Sequence, residues 1–382
     1  VVVRWAGLLG GALFSGATAF LWVVLRPLLG REALRLAYSR LTPLLLLGLG
    51  LLLMSAVAEP LLLGFQRASM AQPRGLLSTE AFTATLLGRA GGLALARALL
   101  AFSGLYPLTL PERGMTPLKT AIALAIGLAS FLTYSLGGHA AVVESWAGPA
   151  IAMDTLHQTA SGLWAGGLIA LALSLLLLRR EGLPVGAIVR GFSNYALLLM
   201  AVIGLTGVLS ALLQVPDLPS LWDGAYGRVL LVKTGIALLA TGAAAVNRLY
   251  FRPRLALAPL PWRRPFLRSL GSEGLLAVAL LAAAAALALV SPTPAASPTS
   301  LNLSHWAQDA FIRLQVSPFQ VGRNRFTVAL TDRAGQPLRG VTSVELEFSK
   351  PDRYRPPNRI EMGPPPPGGR HGPGGVGGLP GG

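Results

Sequence analysis

Eight long apolar runs constrain what this sequence can fold into. An α-helix needs about 20 apolar residues to cross the roughly 30 Å hydrocarbon core of a bilayer, and each run is about that long. Only 13% of the residues are charged, whereas a soluble domain carries about 25%. The sequence therefore predicts an all-α polytopic membrane protein with about eight transmembrane helices. The runs cover about residues 5–25, 41–63, 80–103, 117–136, 153–178, 193–213, 226–246 and 271–290.

The basic residues of the loops predict how the helices are oriented. Alternate loops hold fifteen basic residues, whereas the loops between them hold two. Basic loops stay in the cytoplasm, so both termini are predicted to be extracytoplasmic. This pattern also explains the net charge of +16 without nucleic acid. The basic-loop residues are Arg26, Arg31, Arg35, Arg40, Arg113, Lys119, Arg179, Arg180, Arg190, Arg248, Arg252, Arg254, Arg263, Arg264 and Arg268.

The composition changes after the predicted transmembrane domain of residues 1–290. Residues 291–300 read as a linker, and residues 301–350 contain three runs of alternating apolar and polar residues that predict β-strands. Three strands are too few to close a β-sandwich, so the segment is predicted to be an incomplete, sandwich-like extracytoplasmic domain, truncated or frameshifted after about Lys350. Residues 351–382 are rich in proline and glycine and are predicted to be disordered.

Polar groups inside apolar runs are costly, so each is a candidate for function. His139 follows the fourth run and His157 lies near the start of the fifth, so a short hairpin is predicted to place both at one depth near the outer face. Met153 lies four residues before His157 and shares its helix face, and Asp154 flanks that face. Imidazole and thioether groups suit copper, and the thioether favours Cu(I).

Structural roles for these residues remain open at this level. A membrane histidine often acts as a hydrogen-bonding strut between helices, and Met153 also suits simple packing. Arg89, Arg97 and Lys233 are most simply explained by ion pairs with Glu59, Glu80 or Asp223, or by side chains that reach the interface. The chain has no cysteine, no Walker loop and no HExxH motif, so no catalytic site is predicted.

Several motifs together resemble the copper resistance protein D (CopD) family of multi-pass bacterial inner-membrane proteins. They are SLGGHA, LHQTASGLWAGGL, FSNYALLLMAVIGLTG, YGRVLLVKTGIALLATGAAAVNRLYFRP and LGSEGLL, within about residues 135–290. The stretch LQVSPFQVGRNRFTVALTDRAGQPL resembles the start of a CopC/YtkA-like β-sandwich. The resemblance implies a protein of the inner membrane that imports copper or confers copper resistance, with copper ions, lipid and a periplasmic copper-binding protein as partners and no nucleic acid.

The metal-site hypothesis is that His139, His157 and Met153 bind copper at the outer face, from where the ion crosses the membrane. Two alternatives remain open. The two histidines suit axial ligation of one haem b, which would make the chain an electron-transfer protein. The third reading is a non-transporting assembly factor that delivers metal to a partner.

The predicted topology is testable because the chain has no native cysteine. Single cysteines that replace Arg35, Arg180 or Arg254 should resist a membrane-impermeant thiol reagent in intact cells, and one that replaces Ser297 should react. Labelling of the Arg180 position in sealed cells would contradict the topology.

Overall fold

The structure is a computed structural model whose chain forms two compact units, Val1–Thr293 and Pro294–Gly382. The described residues are 1–71, 78–108, 116–138, 147–178, 184–215, 218–290, 300–307, 310–317, 323–333, 335–336, 338, 341, 344–348, 358–362 and 374–378.

The described residues of the first unit form helices joined by short turns. Its helices are α1 (Val2–Ala19), α2 (Arg31–Ala71), α3 (Thr79–Leu87), α4 (Arg89–Ser103), α5 (Pro117–Leu136), α6 (Ala147–Leu177), α7 (Val185–Gln214), α8 (Ser220–Asp223), α9 (Ala225–Val246), α10 (Arg252–Leu257) and α11 (Pro259–Leu287). Wider π-helical turns, Phe20–Leu25 and Asn247–Phe251, extend α1 and α9. The described residues contain eight helical segments long and apolar enough to cross a membrane, which confirms the predicted fold class.

The third apolar run differs from the predicted single helix over residues 80–103. The chain breaks at Gly88, which separates α3 from α4, and the spanning segment is Arg89–Leu108. A side chain at Gly91 would meet the Leu86 carbonyl oxygen at 1.8 Å, so the chain passes too close to itself there for any other residue. Glycine also weakens a continuous helix, which explains why the break falls at this position.

Helix α1 lies at the centre of the first unit, packed against α2, α5, α6 and α11. Its contact with α2 is a glycine crossing. A Cβ added at Gly48 would lie 2.8 Å from the Gly10 carbonyl oxygen, and one added at Gly10 would lie 2.6 Å from that of Gly48. Such close backbone approach is how helices associate where lipid supplies no hydrophobic driving force.

Helix α6 meets α1 through a second glycine crossing. A Cβ at Gly16 would lie 2.6 Å from the Gly166 Cα atom, and one at Gly166 would lie 1.8 Å from the Ala12 carbonyl oxygen. The two crossings hold α1 between α2 and α6 and leave no room for side chains at the contact points.

An ion-paired cluster joins α1, α2, α4 and α5. Arg4 and Arg97 both donate to the Glu59 carboxylate, and the Arg97 guanidinium lies 4.4 Å from the centroid of the Tyr134 ring. The sequence analysis explained Arg97 most simply by an ion pair, and Glu59 is its partner in the structure. Pairing matters because an isolated charge buried among membrane helices is expensive.

The described residues of the second unit include six short strands. They are β1 (Leu301–Ala307), β2 (Ala310–Ser317), β3 (Arg323–Thr331), β4 (Val344–Phe348), β5 (Asn358–Met362) and β6 (Gly374–Gly378). One antiparallel sheet has the order β1-β2-β3-β6, and β4 pairs with β5. Val316, Phe326 and Val328 form its small core.

The three predicted strands correspond to β2, β3 and β4. Strands β5 and β6 lie within residues 351–382, where disorder is predicted from proline and glycine, and the other residues of that segment lie outside the described part. The predicted boundaries at residues 290, 300 and 350 stay predictions.

The glycine crossing predicts a sharp contrast between two positions on α2. Gly48→Ala should destabilise the helical unit by about 1–3 kcal/mol, because the new methyl group meets the α1 backbone. Gly50→Ala is the matched control, since nothing lies within 4 Å of its added Cβ and alanine favours a helix. Thermal unfolding in detergent measures both, and equal unfolding temperatures would contradict the crossing.

Candidate functional site

Three helices bring polar groups together at one end of the helical unit. This end, which the basic loops predict to be extracytoplasmic, is called the predicted outer end, and the opposite end the predicted inner end. Helix α6 contributes Asp154 and His157, α7 contributes Thr206, and α9 contributes Lys233. These four residues are called the outer cluster.

His157 is held by a hydrogen bond to the neighbouring helix. Its Nδ1 atom lies 2.9 Å from the Thr206 hydroxyl oxygen. That hydroxyl donates its only proton to the Val202 carbonyl oxygen, 2.6 Å away, so its oxygen is left to accept from an Nδ1–H group. This arrangement assigns the proton of a neutral imidazole to Nδ1 and leaves the Nε2 lone pair available to a metal ion.

Gly207 makes room for the imidazole ring. A Cβ added at Gly207 would lie 3.3 Å from the His157 Cε1 atom, tighter than ordinary van der Waals contact. Thr206 and Gly207 belong to the LTG sequence of α7, which the sequence analysis used for the family resemblance without assigning a role to either residue. The LTG sequence was therefore a visible signal, but a single sequence does not show that α7 is the helix that contacts His157.

Asp154 and Lys233 set the electrostatics around His157. The Asp154 carboxylate accepts a 2.7 Å hydrogen bond from the Gln158 amide, which also donates to the Ser135 hydroxyl on α5 at 3.0 Å. The Lys233 ammonium interacts electrostatically with both His157 and Asp154. Asp154 attracts a cation to the outer cluster, whereas a charged Lys233 opposes one. Asp154, the charged neighbour of Lys233, is not one of the partners Glu59, Glu80 and Asp223 that the sequence suggested.

The predicted ligand set is described only in part. Met153 is half-buried on α6, one turn before His157, and His139 lies outside the described residues. Within the described ranges, no group of three or more histidine, aspartate or glutamate side chains is placed to hold a metal ion. The three-residue site therefore stays a prediction, in which His157 is the ligand whose surroundings are known.

Four buried polar atoms on α6 and α7 lack a hydrogen-bond partner among the described residues. They are Thr159 Oγ1, Trp164 Nε1, Ser174 Oγ and Tyr195 Oη. Buried polar groups are nearly always satisfied, so such atoms indicate water or a polar ligand between the helices. Trp164 follows His157 by seven residues and lies on the same stripe of α6, deeper in the unit.

The fold and these residues define a class: a multi-pass helical membrane protein with a half-buried histidine near one end of the bundle. Residues 186–287 match the family model of copper resistance protein D. The chain is 31% identical over 224 residues to copper transport protein CutJ of Bacillus subtilis (strain 168), across 57% of this chain and 40% of that protein.

A second relative is copper resistance protein D of Pseudomonas syringae pv. tomato, 31% identical over 150 residues, across 35% of this chain and 48% of that protein. Each alignment spans less than half of the length of the curated relative. No solved structure matches the chain significantly. Together these findings show that residues 186–287 match the copper resistance protein D family and that the chain is similar to two copper-related proteins, which confirms the resemblance seen in its motifs.

The hydrogen bond from His157 to Thr206 predicts an effect on metal affinity. Thr206→Val should weaken copper binding about 10- to 100-fold, because the imidazole loses the partner that fixes its ring and tautomer. Competition titration of the purified protein in detergent measures this effect.

Thr241→Val is the matched control for the same titration. The Thr241 hydroxyl is exposed on α9 and donates to the Ala237 carbonyl oxygen of its own helix, as Thr206 does to Val202. Equal copper affinity in the two variants would show that Thr206 does not position His157.

Proposed function

We propose that this protein binds copper at the predicted outer end of its helical unit and moves the ion across the inner membrane. The observation that carries the proposal is the fixed imidazole of His157, whose Nδ1 atom is hydrogen-bonded to Thr206, so that Nε2 is the ring nitrogen proposed to bind the ion. The names of the relatives support copper as the ion. The direction of movement is proposed as inward, toward the cytoplasm.

The ligand set proposed for copper combines His157 with His139 and Met153. Two imidazoles suit either oxidation state of copper, and the thioether of Met153 favours Cu(I). Met153 and His157 are four residues apart on α6, so one ion at that face is within reach of both side chains. A sparse ligand set suits transfer, because a closed four-ligand cage would hold the ion too firmly to release it.

Charge near the outer cluster sets how firmly the ion is held. Asp154 supplies a negative charge that draws cations to this end of the bundle. Lys233 lies near both Asp154 and His157, and its positive charge disfavours a long-lived cation there. The opposing charges suit a site that captures an ion from the outer side and passes it on.

The proposed route inward runs between α6 and α7. Trp164 of α6 and Tyr195 of α7 each have a buried polar atom without a hydrogen-bond partner in the described part of the chain. A dry helix interface would leave these atoms unsatisfied at a cost of several kcal/mol, whereas water along the route satisfies them. A periplasmic copper-binding protein is the proposed donor at the outer end.

Replacement of the histidines tests this proposal directly. His157→Ala should abolish copper binding to the helical unit and the copper-dependent growth phenotype, and His139→Ala should do nearly the same. Met153→Leu should weaken the binding of Cu(I) more than that of Cu(II), because the thioether is the one proposed ligand that strongly favours Cu(I). Competition titration of the detergent-solubilised variants measures each affinity.

His305→Ala is the control for these variants. His305 is exposed on strand β1 of the second unit, so its loss should leave the membrane site unchanged. Undiminished copper affinity in a folded His139/His157 double variant would rule out this site.

A further inference from the structure

A buried carboxyl group lies at the predicted inner end of the helical unit, away from the outer cluster. Glu273 on α11 is only 3% exposed, and Asn247 begins the π-helical turn that follows α9. The Asn247 side-chain amide donates a hydrogen bond to Glu273 Oε2. An ionisable side chain buried among membrane helices is costly, so its presence indicates a role.

A chain of hydrogen bonds fixes the geometry around Glu273. The Ser269 hydroxyl donates to Asn247 Oδ1 at 2.7 Å, which turns the amide nitrogen of Asn247 toward Glu273. The π-helical turn widens α9 at Asn247, and such turns are frequent at functional sites. Asn247 and Ser269 therefore act as positioning residues for the Glu273 carboxyl group.

Glu273 makes no ion pair with the described residues, and the Asn247 amide is its hydrogen-bond partner. The basic residues nearby on the chain make other contacts. Arg248 donates to the Ser193 hydroxyl and carbonyl oxygens, and Arg263 donates to the Leu175 carbonyl oxygen. A buried carboxylate without a counter-ion is readily neutralised by a proton.

The other charged groups of the helices around Glu273 lie either toward the predicted outer end or among the basic residues of the predicted inner end. The elements packed against α11 are α1, α6, α9, α10 and the π-helical turn after α9. Their titratable and charged side chains, with those of α11 itself, are Arg4, Asp154, His157, Tyr226, Arg228, Lys233, Arg248, Tyr250, Arg252, Arg254, Arg263, Arg264 and Arg268. Those of α1, α6 and α9 lie toward the predicted outer end, away from Glu273.

We propose that Glu273 is a proton-exchange site, in which the carboxyl group held by Asn247 and Ser269 releases a proton to water at the cytoplasmic side and takes one up again. Release breaks the O–H bond of the neutral carboxyl group and transfers its proton to water, which leaves the carboxylate hydrogen-bonded to Asn247. In the coupled process the carboxylate takes its proton from cytoplasmic water, and that proton leaves toward the outer side as one Cu(I) moves inward, so the charge across the membrane is unchanged. This coupling rests on the proposed function, whereas the proton exchange itself does not.

Infrared spectroscopy tests the proton exchange without copper. In a pH titration of the reconstituted protein, Glu273→Gln should remove one component of the carbonyl stretch of protonated carboxyl groups. Glu32→Gln, at an exposed position in the first turn of α2, is the matched control and should leave that component unchanged. Persistence of every titrating component in Glu273→Gln would overturn the proposal.

A second variant decides the matter if Glu273→Gln does not fold. Ser269→Ala frees the Asn247 amide and should shift the pH at which the Glu273 component titrates, while the carboxyl group itself remains. An unchanged titration would contradict the positioning chain.

Copper-driven proton movement tests the coupling in vesicles that contain a pH-sensitive dye. Wild-type protein should change the internal pH when copper is added outside, and Glu273→Gln should abolish that change while it keeps copper affinity. A copper-driven pH change that persists in Glu273→Gln would overturn the coupling. Absence of copper binding in the wild type would instead refute the proposed function, and the infrared result would still decide the role of Glu273.

Discussion

The glycine crossings of α1 are the contacts on which the helical unit depends. Apolar side chains gain nothing by leaving lipid for each other, so helices in a membrane associate through close packing and polar contacts. Gly10 and Gly48 let α1 and α2 touch through their backbones, and Gly16 and Gly166 do the same for α1 and α6. A methyl group at any of these positions would force the helices apart.

The α1–α6 crossing also determines where His157 points. Gly166 follows His157 by nine residues, about two and a half helical turns, so the two residues lie on opposite faces of α6. Because the glycine face of α6 packs against α1, the imidazole is directed away from α1 and meets Thr206 of α7. The position of the proposed copper ligand is thus a consequence of packing on the far side of its helix.

The helical architecture was predictable because the requirement for apolar spans is strong and local. All eight spans appear in the sequence, and the Arg97–Glu59 pair follows from the cost of a lone charge in the membrane. The break at Gly88 was not predicted: Arg89 and Arg97 weaken the apolar run of residues 80–103, but the run is still long enough to be taken as one helix. Only the close approach of the chain at Gly91 shows why a single helix does not form.

The surroundings of the candidate site were harder to predict, because they depend on which helices become neighbours. His157 was identified because a polar side chain inside an apolar run is energetically unfavourable. Its partner Thr206, however, lies 49 residues away on another helix. The hydrogen-bonded Glu273 was likewise visible only as part of a motif, since nothing local pairs it with Asn247. The grouping of His139 with His157 and Met153 remains a prediction.

Metal analysis combined with a visible absorption spectrum of the purified, full-length protein tests the central claim most directly. The account predicts that the wild-type protein retains copper and shows no Soret band, and that the His157→Ala variant retains none. A Soret band that disappears in the His157→Ala variant would identify a haem ligand instead. Purified protein that is folded, is supplied with copper and still holds none would contradict the account.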